Sequence, residues 1–346
     1  MTQSELFLVL EKAQRASQAF VVFRYPNTET IRAYVVDDVV EVACETDAFS
    51  GFVMAAFDRD TPTIRFSKEA CSIYEAPQQL GLEISPGHVF EEGALAKASH
   101  VSLVEQGVAF LRENSCEKVV LSRKIEHQLT NFDCYKGFAT LLHYSNAFVY
   151  YWFHPEKGTW MGATPETLVQ SKGNSFTTMA LAGTIKITDD SAIVWGAKEI
   201  HEQQVVTDYI KGKLVDLPLQ VSEPYTVKAG NVAHIRTDIS GELTEQVRLQ
   251  TLIERLHPTP AVCGIPVELS RQFIRTHEPY NREFYTGYLG EYNVAGQSKI
   301  FVNLRCMKVL PSLISVYVGG GITTASIPLA EWQETCEKAK LMLRLL

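Results

Sequence analysis

Residues 146–187 read NAFVYYWFHPEKGTWMGATPETLVQSKGNSFTTMALAGTIKI. β-Branched and aromatic residues crowd into four segments, NAFVYYWFHP, GTWMGAT, ETLVQSK and NSFTTMALAGTIKI, with Gly and Pro at the joins. That is the composition of short strands separated by turns. More strands are expected on either side. Toward the amino terminus, AFVVFRY, IRAYVV and GFVMAAF alternate between the polar turns PNTET and FDRDTPT, and KVVLSRKIEHQL is a strand with Lys118 near its start. Toward the carboxyl terminus, YTVKAGNVAHIRTDISGEL, FYTGYLGEYN, SKIFVNLRC, MKVLP and LISVYVGG continue the series, and HPTPAVCGIP (257–266) is a rigid, turn-rich loop. Helical patterns interrupt irregularly. They are MTQSELFLVLEKAQRA, EEGALAKASHVSLVEQGVAFLREN, FDCYKGFATLLHY, residues 191–216, VRLQTLIERL, a segment ending near Thr276, and Pro328 to Leu345. Strands in runs, with no regular βαβ repeat, predict an α+β fold rich in antiparallel sheet. No Pro/Gly/Ser-rich divider appears, so residues 1–346 are expected to form one domain of two antiparallel sheets packed face to face with helices outside.

At 346 residues, 46% hydrophobic and 21% charged, the chain can bury a sizeable core, and it contains no uninterrupted apolar run that would cross a bilayer as a helix. Its amino terminus carries charges within an amphipathic pattern, unlike a signal peptide, which points to the cytoplasm. Seven cysteines (44, 71, 116, 134, 263, 306 and 336) are scattered without a CxxC pair, against both a disulfide framework and a zinc site. A formal net charge of −8, with no basic stripe, opposes nonspecific binding to nucleic acid. An anionic substrate then needs local positive charge or a metal.

Two acid pairs stand out. Glu199 and Glu202 lie three apart in WGAKEIHEQQVVTDYI, and Glu331 and Glu334 lie three apart in LAEWQETCEKAK. Residues so spaced share a helix face, and four carboxylates could hold a hard divalent ion such as magnesium. An acid on a helix is ordinarily solvated, so the pairs alone decide nothing. Lys118, Glu166, Arg305 and Lys338 sit in apolar or glycine-rich settings, where a charge needs a partner or a task. Lys118 reads either as a solvated strand-end lysine or, buried beside other cations, as a base. Glu166, after Pro165 in GATPETLV, reads as a turn carboxylate or as a desolvated proton donor. The glycines of LAGT (181–184) and GGGITTAS (319–326) serve turns or bring backbone N–H groups close to an anion. His257 reads as a capping or core histidine or as part of a pocket wall.

The ordered series KVVLSRK, GATPETL, LAGT, KEIHEQQVV, HPTPAVCGIP, VNLRC, GGGI and EWQETCEK resembles the chorismate-utilising enzymes, and among them the isochorismate synthase branch. The likeness runs from about Lys118 to the end, leaving residues 1–110 as variable scaffold and 111–346 as the motif-bearing portion. It implies the same fold, two antiparallel sheets with helices outside, and a largely monomeric protein acting on chorismate. It implies Lys118 as a base that activates water, Glu166 as an acid that protonates the departing hydroxyl, and Mg2+ held directly by Glu202 and Glu334 with Glu199 and Glu331 one shell out. Arg305 and Tyr285, with backbone near Gly319 and Gly321, would hold the enolpyruvyl carboxylate. Lys338 would add charge near the ring carboxylate. Gly183 and Thr184 would line the pocket, and His257, Ala261 and Val262 would flank the ring.

Amine-transferring members of the family carry a nonbasic residue where this chain has Lys118, and some carry a lysine in place of Ala182. The resemblance therefore implies water addition, feeding menaquinone or siderophore biosynthesis. The salicylate-forming members keep the base and go on to eliminate pyruvate; Tyr285 is a feature shared with some of them.

Overall fold

The computed structural model describes residues 1–37, 49–80, 93–129, 131–187, 193–229 and 232–346. In chain order its elements begin with α1 (Gln3–Arg15), β1 (Phe20–Arg24), β2 (Thr30–Val36), β3 (Gly51–Ala55), β4 (Ile64–Ser67), β5 (Cys71–Pro77) and α2 (Ala94–Glu113). β6 (Lys118–Gln128), α3 (Cys134–Leu141), β7 (Phe148–His154), β8 (Gly158–Thr164), β9 (Thr167–Lys172) and β10 (Ser175–Lys186) follow. Next come α4 (Ala197–Lys213), β11 (Leu219–Val221), β12 (Tyr225–Ala229), β13 (Val232–Glu242), α5 (Leu249–Leu256), β14 (Gly264–Ile265) and α6 (Val267–His277). The series ends with β15 (Tyr288–Val294), β16 (Gln297–Val302), β17 (Cys306–Val309), β18 (Leu313–Ile322) and α7 (Pro328–Leu343).

Strands pair in two sheets. The first runs β14-β6-β18-β17-β8-β7-β1-β2-β5, and the second runs β11-β13-β10-β9-β16-β15-β3-β4 with β12 added beside β13. Every pairing described is antiparallel. Alternation sorts the apolar residues of each strand to two faces. Between the sheets Phe23, Tyr34, Phe148 and Trp152 of the first meet Phe52, Leu289 and Phe301 of the second, with Phe148 and Phe301 stacked at 4.5 Å. The outer faces take the helices. α1, α3 and the end of α7 cover the first sheet around Val22, Val149 and Met161, α4 and α5 cover the second around Ala180 and Ile239, and α2 and α6 close over Val119 and Leu121 of β6. The face-to-face architecture expected from the sequence is the one observed.

The differences are local. β4, β5, β11 and β14 did not stand out as strands, and β5 shows why: in CSIYEAP only Cys71 and Ala76 are buried, so no apolar alternation betrays it. β14 turns the end of the supposed loop 257–266 into a short edge strand that pairs Gly264 with Val119 and Ile265 with Lys118. Helices end sooner than their patterns suggest, α4 at Lys213 and α7 at Leu343. The starts of the helices expected at 91 and 191, and Cys44, lie outside the described residues.

A buried ion pair ties the edge of the first sheet together. Arg282 and Glu278, 2% and 1% exposed in their side chains, meet at 2.6 Å. Arg282 also donates to the carbonyls of Val120 and Val262, while Glu278 accepts from the Ser122 amide and hydroxyl. Removing one partner of such a pair strands a charge in the interior, at a cost of about 3–5 kcal/mol. Glu278→Ala is therefore expected to lower unfolding stability by about that amount in urea denaturation; a change within the scatter of surface variants would show that Arg282 finds other partners.

Candidate active site

Two of the places where the chain passes between the sheets touch each other. Pro165 and Glu166 carry it from β8 to β9, and Asn303 to Arg305 carry it back from β16 to β17. Thr164 Oγ1 donates to the Val302 carbonyl at 2.6 Å, the Val302 amide donates to the Glu166 carbonyl at 2.9 Å, and the Ala163 amide donates to the Arg305 carbonyl at 3.1 Å. Asn303, fully buried, accepts from Tyr150 and donates to the Phe284 carbonyl. Arg305 adopts φ 45°, a region sparsely used by residues other than glycine.

Beside these crossovers lies a cavity of about 240 Å3 whose walls include Lys118, Glu166, Glu199, Glu202, Glu331 and Glu334. Lys118, the first residue of β6, is 7% exposed. Its carbonyl accepts from Ser270 Oγ, and its Nζ donates to Glu202 Oε1 at 2.7 Å. A solvated strand-end lysine is thereby excluded. Burial would raise the Glu202 carboxyl, but the charge and hydrogen bond of Lys118 outweigh it and hold the group below its ordinary range. Glu166 has no such bond. Burial pushes its carboxyl up to about 7, against a weaker opposing pull from Lys118.

The remaining expected residues can be placed in turn. Gly319–Gly321 of β18 carry no side chains, and neighbours use both faces of that strand. A methyl at Gly321 would stand 2.5 Å from Lys118 Cε, and one at Gly319 would stand 3.0 Å from the Tyr285 hydroxyl. One at Gly320 would instead meet Glu331 Oε2 at 3.4 Å. Burial raises the Glu331 carboxyl, and the charge of Glu334 adds to the effect. Lys338 bridges Glu334 at 2.6 Å and donates to the Gly319 carbonyl at 2.9 Å, with burial depressing its ammonium. Arg305 donates to the Lys338 carbonyl at 3.2 Å. Gly183, at φ +69°, leaves room for the first turn of α4, where a Cβ would come within 2.9 Å of the Glu199 carbonyl. Glu199 folds back over Gly196 at the start of its own helix. Thr184, Ala261 and Val262 line the cavity as well.

His257 does not. It is 4% exposed, its ring packs edge-on to Tyr288 and its Nε2 faces the Thr286 carbonyl at 3.1 Å. Burial pushes it down to about 4, so it is a neutral core histidine behind the wall. Among the lining residues that went unnoticed in the sequence are Lys198 and His234. His234 pairs in register with Thr184 and its Nδ1 lies 3.1 Å from the Thr184 hydroxyl. A polar residue opposite the LAGT segment on the neighbouring strand was the available signal.

Among the described residues no three His, Cys, Asp or Glu side chains stand close enough to form a ready metal cluster. The reason is visible in the pairing: Glu202 is turned to Lys118, Glu334 to Lys338, and Glu199 to its own helix end. The donor set nevertheless suits a hard divalent cation, since four carboxylates border one cavity and the mutual repulsion of Glu331 and Glu334 is what a cation relieves.

A family model described as chorismate binding enzyme matches residues 55–346. The chain belongs to that family. Within it, the chain is 33% identical over 263 residues to isochorismate synthase DhbC of Bacillus subtilis (strain 168), covering 70% of this chain and 66% of the relative. It is 30% identical over 255 residues to isochorismate synthase EntC of Escherichia coli (strain K12), covering 70% and 65%. The chain thus spans slightly under two thirds of these curated relatives. In three dimensions it is similar to DhbC from Bacillus anthracis, with a TM-score of 0.80, 25% identity and coverage of 97% and 98%. The menaquinone-specific isochorismate synthase MenF of Escherichia coli shares the fold, with a TM-score of 0.82, 22% identity and coverage of 96% and 90%.

The raised Glu166 carboxyl has a thermodynamic signature. Below pH 4.5 folded and unfolded chains both hold its proton. Between pH 4.5 and about 7 only the folded chain does, so stability falls as pH rises through that window and stays lower above it. Glu166→Gln lacks this penalty. Partial solvent access discounts it to on the order of 2 kcal/mol, so the variant should unfold at higher temperature than the parent at pH 8.5 and at about the same temperature at pH 4. Parallel melting curves at all pH values would contradict the assignment.

Proposed function

We propose that this protein is a magnesium-dependent isochorismate synthase, isomerising chorismate by adding water at C2 and expelling the C4 hydroxyl. The observation that carries the reading is the pairing, across one cavity, of the Lys118 side chain on β6 with a carboxyl raised to about 7 at a crossover between the sheets. Water is a poor nucleophile until deprotonated, and hydroxide is a poor leaving group until protonated, so the reaction needs one base and one acid. Lys118 is the base that takes the proton from water as the oxygen bonds to C2. The ring double bonds shift, the C4–O bond breaks, and Glu166 delivers its proton to the departing oxygen, which leaves as water. A carboxyl near 7 is well matched to that task, half protonated at neutral pH and still a competent acid.

The other residues bind and orient. Arg305 and the Tyr285 hydroxyl, with the bare backbone at Gly319 and Gly321, suit the enolpyruvyl carboxylate. Lys338 places charge toward the ring carboxylate, and Gly183, Thr184, Ala261 and Val262 shape the walls around the ring. Glu202 and Glu334 would bind Mg2+ directly, with Glu199 and Glu331 orienting its waters. Bound there, the ion would neutralise the ring carboxylate. His257 has no part in contacting substrate; it backs Thr286. Both menaquinone and catechol siderophore biosynthesis begin from this product.

Purified protein with chorismate and Mg2+ is expected to form isochorismate without ammonia and without release of pyruvate. Stoichiometric pyruvate would instead identify a salicylate-forming enzyme, a reading that Tyr285 at the cavity favours, and no turnover would sink the proposal. Lys118→Ala and Glu166→Gln should each lower kcat by roughly 10²–10⁴-fold, and EDTA should abolish turnover until Mg2+ is restored. Because Glu166 must carry a proton to act, kcat for isochorismate formation should fall as pH rises through about 7; in Glu166→Gln that limb should disappear.

A further inference from the structure

Two motifs noted in the sequence, KVVLSRK and EWQETCEK, contain residues that the proposed chemistry does not use: Arg123, Trp332 and Thr335. The structure brings them together. Along β6, Lys118 and Val120 line the cavity while Val119 and Leu121 pack beneath α2, so alternation puts Arg123 on the helix-covered face. α7 is sorted likewise. Glu331, Glu334 and Lys338 border the cavity, whereas Trp332, Thr335, Ala339 and Met342 are its buried residues.

Arg123, 7% exposed, joins the two buried faces. Its guanidinium lies 3.9 Å from the centroid of the Trp332 ring, and its Nε donates to Thr335 Oγ1 at 2.7 Å. Thr335 Oγ1 in turn donates to the Trp332 carbonyl at 2.7 Å, and His100 of α2 packs against Trp332 at 5.9 Å between rings. No side chain caps the start of α7. Beyond the bonds of Lys338 to the Gly319 carbonyl and of Arg305 to the Lys338 carbonyl, the rotation of this helix about its axis is left to its buried face. A cation held over an indole face and a charged hydrogen bond to a hydroxyl are both directional, and Trp332 lies in sequence between the two acids.

We infer that Arg123 is a positioning residue for the α7 carboxylates: by clamping Trp332 and Thr335 it fixes the rotation of the helix and thereby presents Glu331 and Glu334 to a divalent cation beside Gly320. The inference rests on the proposed function. Residues that orient metal ligands from behind typically govern metal affinity by 10–100-fold.

The experiment titrates Mg2+ into the full-length protein by calorimetry and measures the Mg2+ and chorismate dependence of turnover. Arg123→Met keeps the aliphatic stem but lacks the charge and the donor. It should weaken Mg2+ binding by roughly 10–100-fold while chorismate KM at saturating Mg2+ stays that of the parent. Arg123→Lys, which retains the cation over Trp332, should recover part of the affinity. Thr335→Val removes only the hydroxyl and should weaken Mg2+ binding less than Arg123→Met; it carries the test if Arg123→Met fails to fold. Mg2+ affinity equal to or tighter than the parent's in the folded variants, or equal losses in chorismate and Mg2+ affinity, would overturn the inference alone. A parent protein that neither binds Mg2+ nor converts chorismate would overturn the functional reading with it.

Discussion

The organisation of the site depends on two of the crossovers between the sheets, β8 to β9 and β16 to β17, being bonded to each other. A strand that leaves one sheet for another must break its ladder, and the freed backbone groups need partners. Here each crossover supplies the other's. The Val302 amide and carbonyl meet Glu166 and Thr164, and the Arg305 carbonyl meets Ala163, with Asn303 buried at the centre. Glu166 and Arg305 are consequently held by backbone bonds rather than by the conformational habits of long loops. The site gains rigidity where these two ladders are interrupted.

Charge in the cavity is arranged by pairing. Lys118 takes Glu202 and Lys338 takes Glu334, and both lysines also lie against the glycine strand. Buried charges survive only with partners, so these pairs let several ionic groups coexist in a small volume. Glu166 has no bonded cation, and burial raises its carboxyl to about 7. Environment thus gives two carboxylates of one cavity, Glu166 and Glu202, opposite tendencies.

Much of this was legible in the sequence. Strands packed on both faces, such as β7 and β8, announce themselves through unbroken runs of aromatic and β-branched residues, and the acid pairs on α4 and α7 follow from helical spacing. The short or half-exposed strands β5, β11 and β14 do not, because burial rather than propensity defines them. Nor could the sequence distinguish Lys118 in solvent from Lys118 in a cavity, since that depends on what α4 brings over the end of β6. His257 was misleading for the opposite reason. Its motif lines the cavity through Ala261 and Val262, but the histidine turns away to Tyr288. His234 comes from a segment without a motif of its own, and Lys198 opens the KEIHEQQVV motif without standing out within it; the pairing of β10 with β13 and the placement of α4 reveal them.

The three glycines of β18 form a partition one backbone thick. Its two sides meet different side chains, Lys118 and Glu202 at Gly321 on one and Glu331 and Glu334 at Gly320 on the other, and alternation assigns neighbouring positions to opposite sides. A single added methyl therefore presses on the α7 carboxylates or on the Lys118–Glu202 pair according to whether it sits at residue 320 or 321. Adjacent codons in this strand are in effect separate dials, one on the lysine pair at the end of β6 and one on the acids of α7.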